Sequence, residues 1–150
     1  MLREVIEGIK NVYDGPLWVR LSVRDYAEGE MILADWIQVV QWLEELGIDC
    51  VDVSTGGLVN TVPTIPIYQG YQTPFASAFK KAVPNMPIAT VGLLDNPGLC
   101  EHLLQAGEAD LIMEGRVLIR NVNWLSDAAK VLHDHDYKEY NNSYQRGQVT

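Results

Sequence analysis

Leu17-Trp18-Val19-Arg20-Leu21-Ser22 is a short run of strand-forming residues with a single charge in its middle. A polar loop from Arg24 to Glu30 follows. Then Trp36, Val39, Val40, Leu43 and Leu46 recur at helical spacing, and Gly47 stands where that helix should end. A second apolar run, Ile48 to Val53, closes the unit. Strand, helix and strand in this order, with strands apolar along their length, is the pattern of a parallel βα unit covered on both faces.

The same alternation extends in both directions. Upstream, Leu2, Val5, Ile6, Ile9 and Val12 form one apolar helical stripe, stopped by Asp14-Gly15-Pro16. Downstream, a loop rich in Gly, Thr, Pro and Tyr runs from Ser54 to Gln72. Thr73-Pro74 reads as an N-cap followed by Pro at the first helical position, and the helix should end near Val83-Pro84. A third strand is expected near 87–91 and a fourth near 109–113, with a helix from Asn96-Pro97 to Ala106-Gly107 between them. Val117 to Arg120 read as one helical turn, and Asn123 to Leu132 as a last helix. From His133 to Thr150 the chain is polar and has no apolar period.

Two architectures carry such a pattern, an open doubly wound sheet and part of a (β/α)8 barrel. A dinucleotide-binding open sheet usually has a Gly-rich turn after its first strand. Here that turn is Ser22-Val23-Arg24-Asp25, without glycine, which favours the barrel. A whole barrel takes about 250 residues, so four strands amount to half of one. The expected fold is α/β: a parallel (β/α) half-barrel over residues 1–132 with a polar tail over 133–150. The first helix has no strand before it, so the sequence reads as a fragment, a truncated product or a half that must pair.

Composition narrows the function. The chain has 150 residues, 11 Lys+Arg against 20 Asp+Glu, a net charge of −9 and 47% hydrophobic residues. That is one domain's length with enough apolar material for a core. An acidic balance argues against nucleic acid as partner, because phosphate backbones are met by a basic face. No apolar run is long enough to span a bilayer, and the charged start lacks a signal core. A cytoplasmic protein without membrane partner is expected. Cys50 and Cys100 have no C-x-x-C spacing and read as core residues.

Chemistry in such folds sits at the carboxyl ends of the strands. Those positions hold Arg20 with Ser22, then Ser54-Thr55-Gly56-Gly57, Gly92, and Gly115-Arg116. Gly92 and Gly115 follow the last two strands, where barrels often bind phosphate through backbone N–H groups. Arg116 adds a fork of donors suited to a dianion. The competing reading is that both glycines only turn the chain. Arg20 either reaches into a site or occupies an edge strand and a structural salt bridge. His102 reads as a surface or packing residue, and His133 and His135 as favourable charges near a helix end. Asp134-His135-Asp136 is a weak metal motif, because neighbouring residues do not readily converge on one ion; no metal is expected. Trp36 and Trp42 read as packing residues. No nucleophile–base pair and no paired-carboxylate site stands out.

The motifs taken together resemble a known family. Asp14-Gly15-Pro16-Leu17-Trp18-Val19-Arg20-Leu21-Ser22 resembles the fifth-strand region of the old yellow enzyme family, in its bacterial NADPH dehydrogenase (thermophilic-like ene-reductase) branch. Asp52-Val53-Ser54-Thr55-Gly56-Gly57 resembles its sixth strand and loop. Tyr68-Gln69-Gly70-Tyr71-Gln72 resembles the loop that follows, Thr90-Val91-Gly92-Leu93 the seventh strand end, and Ala109 through Gly115-Arg116 the eighth. Tyr144-Gln145-Arg146-Gly147 is similar to a C-terminal segment of that branch, with Gln148 where an aromatic is expected.

The resemblance implies a TIM-barrel flavin oxidoreductase of which residues 1–132 are the C-terminal half. It implies noncovalent FMN, NADPH or NADH as reductant, and a small substrate with an activated double bond. It places Arg20 beside the flavin pyrimidine edge, and Gly92, Gly115 and Arg116 at the FMN phosphate. It implies a homo-oligomer in which Arg146 reaches a neighbouring subunit's site. No catalytic residue is expected here, because that branch draws its substrate anchors and proton donor from the first four strands. The alternative is a catalytically inactive half-barrel, a phosphate-binding or self-associating module that exposes two sheet edges.

Overall fold

The computed structural model describes residues 1–59, 65–138, 140, 141, 143 and 144. The chain runs α1 (Leu2–Lys10), β1 (Trp18–Ser22), α2 (Leu33–Glu45), β2 (Cys50–Ser54), α3 (Thr73–Ala82), β3 (Ile88–Thr90), α4 (Pro97–Gln105), β4 (Leu111–Ile112), α5 (Arg116–Arg120) and α6 (Trp124–Val131). The four strands form one sheet in the order β1-β2-β3-β4, and each adjacent pair is parallel. Sequential order with a helix in every crossover is the arrangement of consecutive barrel units, and the fold is the expected parallel (β/α) half-barrel.

Register sorts the strand residues onto two faces. Leu21, Val53, Thr90 and Ile112 lie in one row across the sheet. Successive side chains alternate faces, so the neighbouring row, Arg20, Asp52, Ala89 and Leu111, points the other way. The first face meets the helices. Val40 and Leu43 of α2, Ala76 and Phe79 of α3 and Ile6 of α1 pack there with Leu21, Val51, Val53 and Ile88. A second cluster, Leu94, Cys100 and Leu103, continues this layer, with Ile112 and Trp124 packed against it. The opposite face is the inner face of the half-barrel. It carries the half-exposed Trp18, the exposed Arg20 and Leu111, and the buried Cys50 and Asp52.

Helix ends follow local chemistry. Gly47 and Gly107 adopt φ of +69° and +66° just beyond α2 and α4. There Gly47 N donates to Glu44 O and Ile48 N to Leu43 O, which satisfies two terminal carbonyls. The Asn96 side chain accepts from Leu99 N at 3.0 Å, capping α4 ahead of Pro97. At α3 the cap is Gln72, not Thr73. Thr73 is turned inward, and its hydroxyl lies 3.3 Å from that of buried Thr90.

Strand ladders are shorter than the apolar runs suggest, two residues in β4 and three in β3. Val12 lies beyond the end of α1 and is exposed. Trp36 packs against the core as expected. Trp42 does not; it flanks the buried Val40–Leu43 stripe and is half-exposed in a groove between α1 and α2 that Leu2 also lines. Among the described residues no helix is long and apolar enough to cross a membrane. Arg146 and Gln148 lie outside the described residues.

Candidate functional site

The chain leaves β2, β3 and β4 at Ser54, Thr90 and Ile112, and residues of these strand ends and of the segments that follow line one cavity of about 320 Å³, together with Arg20 of β1. Arg20, Ser54, Gly92, Gly115 and Arg116 all line it. Thr55 lines it too, whereas Ser22, Gly56 and Gly57 do not: the Ser22 hydroxyl donates to Gly56 O at 3.1 Å. Tyr71 and Gln72, from the loop before α3, close one side.

The two glycines differ in kind. Gly92 has φ +120°, and a Cβ there would stand 3.0 Å from both Gln72 Nε2 and a Tyr71 ring carbon. Its carbonyl accepts from Gly70 N at 2.8 Å, which ties the loop to the strand end. Fold alone requires glycine at this position. Gly115 has no positive φ, and nothing lies within 4 Å of where its Cβ would be. Its missing side chain leaves the backbone open on the cavity side.

Arg20 makes the structural salt bridge and also borders the cavity. Its Nη1 donates to Asp52 Oδ2 at 2.9 Å and its Nη2 to Ser54 Oγ at 3.2 Å. This is the cross-strand salt bridge of an edge strand. It arises because Arg20 and Asp52 are register partners on the inner face. Yet the arginine side chain remains 57% exposed against 7% for the aspartate, so the guanidinium opens onto the cavity. Burial pushes the Asp52 carboxyl up, opposed by the charge and hydrogen bond of Arg20. Asp52 Oδ1 is buried with no partner among the described residues.

Three carboxylate-bearing residues of this region went unremarked in the sequence as chemistry. Asp52 had a signal, since it is the third residue of β2 just as Arg20 is of β1. Asp95 and Glu114 line the cavity together with a further cation, Arg120. Burial first, then the charge of Asp95, push the Glu114 carboxyl up to about 7, with Arg120 opposing. Its position directly before Gly115-Arg116 was the available hint.

Other candidates fall away from the cavity. Cys50 and Cys100 are buried free thiols, both pushed up to about 11, chiefly by burial, which leaves them inert near neutral pH. His102, His133 and His135 are exposed. No group of three or more potential metal ligands occurs among the described residues.

Residues 1–135 match the model of the NADH:flavin oxidoreductase / NADH oxidase family. The chain belongs to this family. It is 41% identical over 132 residues to an NADPH dehydrogenase of Listeria monocytogenes, 88% of this chain and 38% of that one. It is 40% identical over 131 residues to an NADPH dehydrogenase of Bacillus subtilis, again 38% of that protein. The chain thus spans less than two fifths of the curated relatives it matches. Among solved structures it resembles a 6-hydroxypseudooxynicotine amine oxidase of Pseudomonas geniculata, with TM-score 0.71 and 24% identity, covering 89% of this chain and 20% of that one. A 2-naphthoyl-CoA reductase in complex with 2-naphthoyl-CoA matches with TM-score 0.65 over 81% of this chain. These likenesses establish the fold. The family membership accords with the strand-by-strand resemblance read from the sequence.

Proposed function

We propose that this flavin oxidoreductase family chain supplies the phosphate-holding half of an FMN site in an NAD(P)H oxidoreductase of the ene-reductase type. One observation carries the reading: Arg20, Gly92, Gly115 and Arg116, from three separate strand ends, line a single cavity. The residues suit the group. Arg116 offers a planar fork of donors to a phosphate dianion, and the open backbone at Gly115 permits close approach. Arg20, anchored below by Asp52 and Ser54, presents a fixed cation on the inner face, where it would meet the electron-rich edge of a flavin ring.

When bound, FMN supplies two-electron chemistry, accepting hydride from NADPH or NADH and passing it to an activated carbon–carbon double bond. Within this chain the residues' work is to hold the phosphate and to place a positive charge where the reduced ring carries negative charge. We also place the protein in the cytoplasm, in keeping with its net charge of −9, and as a homo-oligomer in which Arg146 reaches a neighbouring site. The outer edge of β1, which pairs with no strand among the described residues, and the exposed Trp18 and Leu111 on the inner face favour association. They equally favour the second reading, a self-associating half-barrel without catalysis.

Titration of FMN and of inorganic phosphate into wild type and Arg116→Ala tests the first reading. Loss of affinity for both ligands in the variant supports it, and unchanged affinity overturns it. NADPH-dependent flavin reduction by the chain separates catalysis from mere binding, and sedimentation velocity reads the association.

A further inference from the structure

The cavity assigned above to phosphate also contains a carboxylate that an anion should not tolerate. Glu114 lies between β4 and Gly115, and its Oε1 is buried without a hydrogen-bond partner among the described residues. Asp95, from the segment ahead of α4, faces the same space. So do Arg116 and Arg120 of α5 and Arg20 of β1, and Cys100 of α4 lies close enough to feel the Glu114 charge. An ionised Glu114 would oppose both Asp95 and any dianion in the cavity. The neutral acid removes that repulsion and gains an O–H donor in place of a charge.

Resting on the phosphate reading, we propose that Glu114 holds the phosphoryl group as the protonated acid, so that capture of the dianion takes up one proton. The carboxyl of Glu114 is already pushed up to about 7 by burial and Asp95, so the proton is within reach at neutral pH. Of the other groups facing the cavity, the arginines keep their charge throughout this range. Tyr71 also lines the cavity; Glu101, Asp110 and Cys100 line the adjoining groove that Glu114 borders as well, and the Cys100 thiol, pushed up to about 11, stays protonated in this range.

Sulfate is the suitable probe, because it remains a dianion where phosphate itself titrates. Sulfate binding to the wild-type chain should be constant below about pH 6 and should weaken about tenfold per pH unit above about pH 7, reaching roughly thirtyfold by pH 8.5. Calorimetry at pH 8 in two buffers of different ionisation enthalpy should count about one proton taken up. Glu114→Gln should give a flat profile and no uptake. A flat wild-type profile, zero uptake, or a Glu114→Gln variant that keeps the slope overturns the proposal and leaves the phosphate reading standing. Sulfate that does not bind, or that binds Arg116→Ala as it binds wild type, overturns the phosphate reading and this proposal with it. If Glu114→Gln fails to fold, the wild-type proton count decides alone.

Discussion

The two ends of the sheet are built on opposite principles. At the N-terminal end, carboxylates extend the ladder. Asp49 N donates to Leu17 O while its Oδ2 accepts from Leu17 N at 2.8 Å. Asp110 repeats the device two strands away: its N donates to Ile88 O, its Oδ2 accepts from Ile88 N at 2.8 Å, and Lys80 Nζ pairs with the same oxygen at 2.9 Å. At the C-terminal end the accounting does not close. The four buried side-chain oxygens without a partner among the described residues belong to Asp25, Asp52, Gln72 and Glu114, each in or after a strand on the side where the cavity opens. Native proteins leave few such groups unsatisfied, and barrels concentrate binding at this pole and stability at the other. Of these four residues Gln72 and Glu114 line the cavity itself.

The comparison predicts a clean separation of effects. Arg116→Ala should weaken FMN and phosphate binding by about ten- to a hundredfold, the worth of a charge-assisted bidentate contact of roughly 1.5–3 kcal/mol. Its urea midpoint should not move. Asp110→Ala should do the reverse. Loss of a charge-assisted bond and an ion pair, in a partly exposed setting, should cost about 1–2 kcal/mol of stability by urea denaturation. Its phosphate affinity should stay at the wild-type value, and a fall in affinity would break the division between the two ends.

Arg20→Ala should show a smaller, pH-dependent loss. The folded-state pKa of Asp52 is raised, so its burial stabilises least above that pKa, and Arg20 is the group that opposes the rise. Removing Arg20 should cost about 1 kcal/mol at pH 8, discounted for the exposure of the guanidinium, and the loss should fade as pH falls toward 4. A pH-independent loss would mean that Arg20 acts through packing. Glu114→Gln should act in the opposite direction. Because the folded-state pKa of Glu114 lies above the ordinary 4.5, wild-type stability contains a contribution that is full below that value and disappears as pH rises through about 7. Relative to wild type, the glutamine variant should gain stability across that window in chemical denaturation, and show no gain if the carboxyl titrates normally.

Much of this was legible in the sequence because the signals are local. Gly47 and Asn96-Pro97 set helix ends from within one turn, and the apolar runs marked all four strands. Arg20, Gly92, Gly115 and Arg116 could be named because strand ends are where such folds act. What escaped depends on register and on tertiary approach. The Arg20–Asp52 pair exists only because β1 and β2 align those two positions. Thr73 gave up the cap position because Thr90 offers a buried partner. The distinction between Gly92, which has no room for a Cβ, and Gly115, which has nothing near it, is a matter of neighbours that no spacing encodes. Glu114 reads as an ordinary loop acid until burial and Asp95 are known.

The most direct test of the division between the two ends is an amide-resolved NMR titration of the chain with inorganic phosphate. Gly92, Gly115 and Arg116 amides should shift together and saturate at one affinity, while Asp49, Asp110 and Ile88 amides stay still. Shifts centred on the N-terminal end of the strands, or none at saturating phosphate, would contradict it.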